Sequence, residues 1–299
     1  MSTNPLLHFS GLPNFTAIRA DHIAPAMEHL LAEGRAVIAR LLEDQAPPTW
    51  DNVIQPLADS NERLGRAWGQ VSHLNAVMNS PELREAYNAN LPKVSQYFAE
   101  MAQNIGLFKK VRTIRDSADY SSLSAPRKKV IENEVRDFRL GGAELPPEKK
   151  ARFLTIQEEM STLCSQYSDN ILDATNAYTC LVEDEAALSG IPADERQVAA
   201  EAAQKKVAEG AQSTAQGWLF TLQAPSYGPL MQYADNRALR ERMYIAYSTR
   251  ASEQGKAELN NSPVMSQILK LRQEEAHLLG FANFAELSRP QKWPTHHSR

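Results

Sequence analysis

Cysteine is nearly absent from this 299-residue sequence, which contains only Cys164 and Cys180. Two cysteines cannot build the disulfide framework of many small secreted domains, and they favour reduced thiols in a cytoplasmic protein. The N-terminal stretch also lacks the basic segment, apolar core and small-residue cleavage site of a secretory signal. We therefore expect a cytoplasmic protein.

Long apolar runs are missing as well. No stretch approaches the roughly 20 apolar residues that cross a bilayer, and the 13 glycines and 17 prolines are too scattered for a fibrous or low-complexity chain. With 32 basic and 36 acidic residues, the formal net charge is -4. Because no overall positive field exists to attract polyanions, we expect neither a nucleic-acid partner nor a membrane partner.

What the sequence does contain is helical periodicity. Apolar residues recur at the three-to-four spacing of amphipathic helices along most of the chain. Asp21, Thr49, Ser80 and Ser124 are predicted N-caps of successive helices. Pro92 is predicted to kink or interrupt the third of these helices, because proline removes a backbone hydrogen bond.

A strong helix breaker divides the sequence. Gly141 and Gly142 are followed closely by Pro146 and Pro147. We therefore predict an N-terminal helical domain over residues 1–142 and a second region over residues 146–288. The second region begins with the longest helix of the chain, with a period sustained for about seven turns, and this pattern places Cys164 on its apolar side.

Two short β-leaning segments lie at about 178–182 and 217–222, separated by an Ala-, Glu- and Gln-rich stretch. They predict a two-stranded ribbon closed by a helical excursion. Cys180 falls in the first predicted strand as a small hydrophobic residue. Amphipathic helices follow, and Gly280 ends the last of them. The predicted fold class is mostly α, multi-helical, with one short β ribbon.

Candidate catalytic residues are few. None of the seven histidines lies in an H-E-x-x-H motif. Glu274 and His277 form a single E-x-x-H, but a carboxylate-bridged metal site needs two such motifs with further carboxylates. His296 and His297 lie in a tail without any surrounding pattern. We interpret these four as ordinary surface or core residues, and we predict no catalytic, cofactor-binding or metal-binding residue in this sequence.

Four longer segments carry a resemblance to a known family. They are TWDNVIQPLADSNERLGRAWGQVSHLNAVMNSPELREAY (Thr49–Tyr87), SQYSDNILDAT (Ser165–Thr175), YIAYSTRASEQG (Tyr244–Gly255) and ILKLRQEEAHLLGFANFAELS (Ile268–Ser288). These segments resemble the N-terminal region of the oligopeptidase A family, which are thimet-oligopeptidase-like zinc metallopeptidases. The resemblance runs from about Pro5 to Ser288.

The resemblance implies a nearly all-helical protein of two lobes, facing each other across a channel that admits short peptides. This chain would supply the first lobe and the beginning of the second. In the family, zinc is held by the two histidines of H-E-x-x-H and a downstream glutamate, and the motif's own glutamate is the general base. No position of this sequence matches that motif, so we expect the chain alone to be inactive and to form a wall of the substrate channel. The alternative is a helical module that binds peptides or a protein partner without cutting them.

Two interpretations stay open for Tyr244, Tyr247 and Arg250. They shape the wall of the implied channel, or they pack in the core, as Leu239 and Met243 on the same predicted helix suggest. Helices that pack against the remainder of a longer family member would expose apolar faces in this chain. We therefore expect self-association through the segment Asn236–Gly280.

The resemblance stops at Ser288. One base inserted into the Arg289 codon allows the codons of Arg289–Pro294 to read Leu-Ala-Thr-Lys-Met-Ala, as family members do. We therefore expect residues 289–299 to be an out-of-frame tail after a truncating frameshift. Resequencing is expected to find an H-E-x-x-H motif in the restored frame.

Overall fold

The computed structural model describes residues 4–208 and 217–292. In this part of the chain, eleven α-helices and one two-stranded antiparallel sheet form the fold. The predicted fold class, mostly α with a short β ribbon, is confirmed. No helix in the described ranges combines the length and the apolar character that crossing a membrane requires.

The elements follow one another in this order: α1 (Ile23–Glu43), α2 (Gln55–Val77), α3 (Pro81–Ala102), α4 (Ile105–Asp116), α5 (Ala125–Leu140), α6 (Pro147–Ala177), β1 (Thr179–Val182), α7 (Ala193–Ala208), β2 (Trp218–Thr221), α8 (Ala224–Tyr233), α9 (Arg237–Ser248), α10 (Ser262–Leu278) and α11 (Phe284–Lys292). The described residues form two compact units. The first unit contains those up to Thr162 and those from Leu269 onward, and the second contains Leu163–Ile268. The division at residues 142 and 146 stays a prediction.

Two hydrophobic clusters form the interior of the first unit. One joins α1, α2 and α3, and the other joins α4 and α5 to the end of α1 and the start of α2. A third cluster, in the second unit, joins the β ribbon with α7, α8 and α9. The amphipathic period of the sequence therefore turns each of these helices towards the cluster of its own unit.

Three predicted N-caps lie at the start of a helix or helical turn: Thr49, Ser80 and Ser124. The Ser80 hydroxyl accepts a hydrogen bond from the backbone N–H of Leu83, at 3.2 Å. This bond satisfies one of the N–H groups that a helix leaves without a partner in its first turn. Thr49 caps a π-helical turn that leads directly into α2.

One local prediction is wrong and a second is wrong in part. Asp21 lies in a short 3-10 turn, and α1 begins at Ile23 with His22 as its N-cap. Pro92 does not interrupt α3, which continues to Ala102, and the kink at Pro92 stays a prediction. Proline in a helix interior costs about 3 kcal/mol. The residues Val94 and Tyr97, which follow it on α3, are buried in the first hydrophobic cluster, and their burial offsets that cost.

The β ribbon pairs Cys180 with Phe220, and both side chains are buried in the core of the second unit. Helix α7 forms part of the predicted helical excursion between the strands, and residues 209–216 of that excursion lie outside the described residues. Ahead of α7, Gly190 has φ +86°, and a Cβ atom there would collide with the carbonyl oxygen of Tyr233. The segment between β1 and α7 therefore contains a turn that only glycine fits.

The buried side of α6 in the second unit is polar. The Asn170 amide donates to Asn261 Oδ1 at 2.9 Å, and the Asn261 amide donates to the Tyr167 carbonyl oxygen at 2.9 Å. Cys164 is exposed, so the prediction that it lies on an apolar side is wrong. Apolar periodicity could not identify this side, because the residues that it buries include asparagine.

Candidate functional site: tyrosine and arginine side chains of the second unit

Helix α9 contains Tyr244 and Tyr247, two of the residues whose role the sequence left open. Leu239 and Met243 are buried in the hydrophobic cluster of the second unit, whereas Tyr244 and Ile245 are exposed. Successive residues of a helix point in directions about 100° apart, which allows one helix to bury one residue and expose the next. Packing therefore explains Leu239 and Met243, and it leaves Tyr244 available at the surface.

Tyr247 belongs to a cluster of aromatic and cationic side chains. Its ring stacks on Tyr227 of α8, with ring centroids 4.2 Å apart and planes inclined by 14°. The guanidinium carbon of Arg250 lies 3.6 Å from the centroid of the Tyr247 ring. Arg250 Nη1 also donates to Thr175 Oγ1 of α6 at 3.1 Å. The stack and this hydrogen bond together hold the guanidinium in one orientation.

The surroundings of Tyr227 in this cluster favour its neutral phenol. Burial raises the pKa of Tyr227, the neighbouring Tyr247 and Tyr244 raise it further, and the charge of Arg250 opposes them. The Arg250 Nε atom is buried and has no hydrogen-bond acceptor among the described residues. The cluster therefore presents hydrogen-bond donors and aromatic surface, a combination suited to polar contacts with a peptide.

Cys180 lies on the same unit but is not a nucleophile candidate. It is buried, and Arg242 Nη2 donates a hydrogen bond to its sulfur. Burial raises the pKa of the Cys180 thiol and outweighs the opposite effect of Arg242. A protonated buried thiol behaves as a small hydrophobic side chain, as the sequence predicts for Cys180.

Glu274 and His277 of the E-x-x-H motif are each engaged with other neighbours. Arg152 donates twice to the Glu274 carboxylate, at 2.6 and 2.7 Å, and this pair holds the pKa of Glu274 below its usual range. His277 Nε2 lies 2.6 Å from the Gln273 amide nitrogen, so the ring nitrogen is the acceptor of that bond. Each side chain of the motif therefore already has a hydrogen-bond partner within this chain.

A zinc centre does not fit the residues that the structure describes. Within residues 4–208 and 217–292, no group of three or more His, Cys, Asp or Glu side chains is placed to hold a metal ion. Zinc in peptidases takes three protein ligands and a water. His296 and His297 lie outside the described residues.

Removing both E-x-x-H side chains is expected to leave zinc binding unchanged. A Glu274→Gln, His277→Ala variant, dialysed against a slight excess of zinc, should retain the same metal content as the parent chain, because Glu274 is committed to Arg152. Elemental analysis of the dialysed proteins measures this. Loss of one equivalent of zinc in the variant alone would contradict the interpretation.

Sequence reasoning did not single out Tyr227 and Thr175. Both contribute to the Arg250 cluster, but they lie on α8 and α6, and Arg250 follows α9. Contacts between segments so distant in sequence leave no spacing pattern. The only available signal was the concentration of tyrosine and arginine between Tyr227 and Arg250.

The comparisons with known proteins define the class. Sequence models of two families match the chain: the N-terminal domain of neurolysin/thimet oligopeptidase over residues 27–150, and peptidase family M3 over residues 230–295. The two matches follow one another along the chain, the N-terminal domain first and the M3 segment second.

The relatives are more specific. Oligopeptidase A of Salmonella typhimurium is 48% identical over 288 residues, which cover 96% of this chain and 41% of the relative. The Escherichia coli enzyme of the same name is 48% identical over 95% of this chain and 41% of its own length. The probable cytosolic oligopeptidase A of Arabidopsis thaliana is 37% identical over 99% of this chain and 42% of its length. The chain is therefore an oligopeptidase A-like sequence that corresponds to the N-terminal part of such proteins, as the sequence resemblance predicts. It spans about two fifths of the length of these relatives.

Proposed function

We propose that this chain is the N-terminal, non-catalytic part of a cytoplasmic, zinc-dependent oligopeptidase, and that it forms a wall of the channel that admits short peptides. The observation that carries this proposal is the 48% identity to oligopeptidase A over 96% of the chain. The 299 residues contain no H-E-x-x-H motif. Zinc peptidases use that motif for two metal ligands and the general base. This chain would therefore contribute peptide-contacting surface and exclude bulky substrates, while the reacting groups lie elsewhere.

The purified 299-residue chain is expected to show no turnover of a short internally quenched peptide, with or without added zinc. The reason is that no general base and no zinc-bound water are supplied by its residues. A full-length oligopeptidase A, assayed in parallel with the same peptide, gives the positive control. Zinc-dependent turnover by the chain itself would overturn the assignment as a non-catalytic part.

The second candidate is a helical module that captures peptides without cutting them. The Arg250 cluster favours it, because an oriented guanidinium and an exposed Tyr244 lie on one unit of this chain. Titration of a labelled, uncleaved peptide distinguishes the two candidates. Binding that weakens on Arg250→Ala, but not on the exposed control Arg237→Ala, supports the module. Absence of binding by the parent chain supports the first candidate, in which this chain forms a channel wall and contacts peptide only together with the rest of a peptidase.

Self-association of the isolated chain stays a prediction, now with named side chains. In the segment Asn236–Gly280, Tyr244 is 57% exposed, Ile245 53% and Leu269 64%. Exposed apolar side chains of this size favour association. We expect Ile245→Ser and Leu269→Ser to lower the sedimentation coefficient of the parent at high concentration. Val198→Ser, an equally exposed apolar position on α7, is the control. A parent chain that sediments as a monomer at every concentration would contradict the prediction.

A further inference from the structure

Helix α4 and the connection to α5 carry a concentration of positive charge that the proposed function does not use. Residues 105–129 contain seven basic residues and two acidic ones, a net charge of +5 in a chain of formal net charge -4. The basic residues are Lys109, Lys110, Arg112, Arg115, Arg127, Lys128 and Lys129. The charge of this region is therefore opposite to that of the whole chain.

Two of these basic residues lie on the exposed face of α4. Lys109 and Arg112 lie one turn apart and are exposed, whereas Phe108 and Val111, which immediately precede them in the sequence, are buried. Neither Lys109 nor Arg112 forms an ion pair within the ranges that the structure describes. The Arg112 guanidinium lies 5.9 Å from the centroid of the Phe108 ring. A guanidinium that rests on a ring keeps the N–H groups at its edge available for an acceptor.

Asp116 is a carboxylate that lies among these basic residues. Arg115 Nε donates to Asp116 Oδ1 at 2.8 Å. This bond, with the charges of Arg115, Arg112 and Arg139, holds the pKa of Asp116 below its usual range. Arg139 belongs to α5 and also pairs with Glu144, with 3.2 Å between Nε and Oε2, so arginines from two helices act on Asp116. The positive field at this position therefore stabilises an ionised carboxylate. Among Lys109 and these three arginines, only Lys109 and Arg112 form no ion pair within the described residues.

We propose that this surface, formed by Lys109, Arg112, Arg115 and Arg139 and named here the α4–α5 basic surface, docks an acidic segment of a partner protein. The partner would present aspartate and glutamate side chains to the edges of the guanidinium groups, which pair with carboxylates through two parallel hydrogen bonds. This interaction is independent of peptide cleavage and goes beyond the function proposed above.

Carboxylates fit the surface better than nucleic acid does. Binding of single-stranded nucleic acid relies on aromatic rings that stack with the bases. The ring beneath Arg112 belongs to Phe108, which is buried in the core of the first unit. The formal net charge of -4 also repels a long polyanion, while a short acidic segment meets only the local positive field.

The test uses the full 299-residue chain and a fluorescein-labelled peptide of alternating glutamate and aspartate, with fluorescence anisotropy as the readout. The parent is expected to bind the peptide, with an affinity that falls as salt rises, because exposed charges are screened. A Lys109→Glu, Arg112→Glu variant is expected to bind about tenfold more weakly or worse, since it replaces two attractions by repulsions. Lys109→Gln with Arg112→Gln, which only removes the charges, is expected to give a smaller loss in the same direction.

The matched control is Lys205→Glu with Lys206→Glu, which makes the same change in net charge at α7. It is expected to bind within about twofold of the parent. Far-UV circular dichroism verifies that each variant is folded. An equal loss in the control, no binding by the parent, or tighter binding of a single-stranded oligonucleotide than of the acidic peptide would each overturn the proposal.

Discussion

Replacement of Gly190 by alanine is expected to destabilise the second unit by about 3 kcal/mol or more. Two effects act together at this position. The φ angle of +86° disfavours any residue with a Cβ atom, and that atom would collide with the carbonyl oxygen of Tyr233. It would also lie 3.0 Å from the backbone nitrogen of Asp235. Backbone atoms cannot rotate aside as a long side chain can, so the turn itself must shift. Urea denaturation followed by circular dichroism measures the loss.

Gly280→Ala separates the two effects. Gly280 has the same φ angle of +86°, but no atom lies within 4 Å of the position of its missing Cβ. Only the conformational strain should remain, which is roughly 1 to 2 kcal/mol for a residue in the left-handed region. Gly69→Ala, in α2 and with nothing within 4 Å, should be neutral or slightly stabilising. A Gly190→Ala variant no less stable than Gly280→Ala would show that the close approach to Tyr233 is not a constraint.

Asn261→Ala is expected to cost the second unit about 3 kcal/mol, because it removes two hydrogen bonds and leaves the buried Asn170 amide without its acceptor. Asn261 is 2% exposed and connects the Asn170 amide to the Tyr167 carbonyl oxygen. In a site closed to water, the Asn170 amide then bears its desolvation penalty without compensation. The same urea titration provides the measurement.

Asn176→Ala is the matched control for that loss. The Asn176 side chain accepts a hydrogen bond from Gln223 at 3.1 Å, but it is exposed, so water replaces the partner. We expect a change of no more than about 0.5 kcal/mol. If the two asparagine variants are equally stable, then the Asn170–Asn261 bond does not contribute to the stability of the second unit.

The predictions that proved correct rest on local signals. Gly142 ends α5 with a φ of +85°, and the backbone N–H of Ala143 donates to the Phe138 carbonyl oxygen at 2.9 Å. Such a C-terminal turn depends on the glycine itself, and its identity is visible in the sequence. The Ser80 cap is local in the same sense, and both strands of the ribbon are marked by their own β-branched and aromatic residues.

The predictions that failed depended on tertiary contacts. Pro92 is tolerated because the hydrophobic residues of α3 on both sides of it are buried against α1 and α2, which no local rule for proline includes. Cys164 was placed by counting apolar residues, while Asn170 and its bond to Asn261 determine which side of α6 is buried. The Arg250 cluster is assembled from three separate segments in the same way. Resemblance to a family supplied the functional class, since no spacing of residues within the chain could do so.

The two cysteines allow the opening of the second unit to be measured by thiol alkylation. Cys164 is exposed, whereas Cys180, in strand β1 of the ribbon, is buried, and the sequence contains no other thiol. An alkylating reagent will therefore modify Cys164 in the native state and will reach Cys180 only when the ribbon opens. Mass spectrometry of the peptide that contains Cys180, sampled over time, then records how often the unit opens, with the alkylation of Cys164 as an internal reference for reagent activity. Because this footprint needs neither a substitution nor an added dye, it can follow the same chain alone, with a peptide, or beside the remainder of a peptidase.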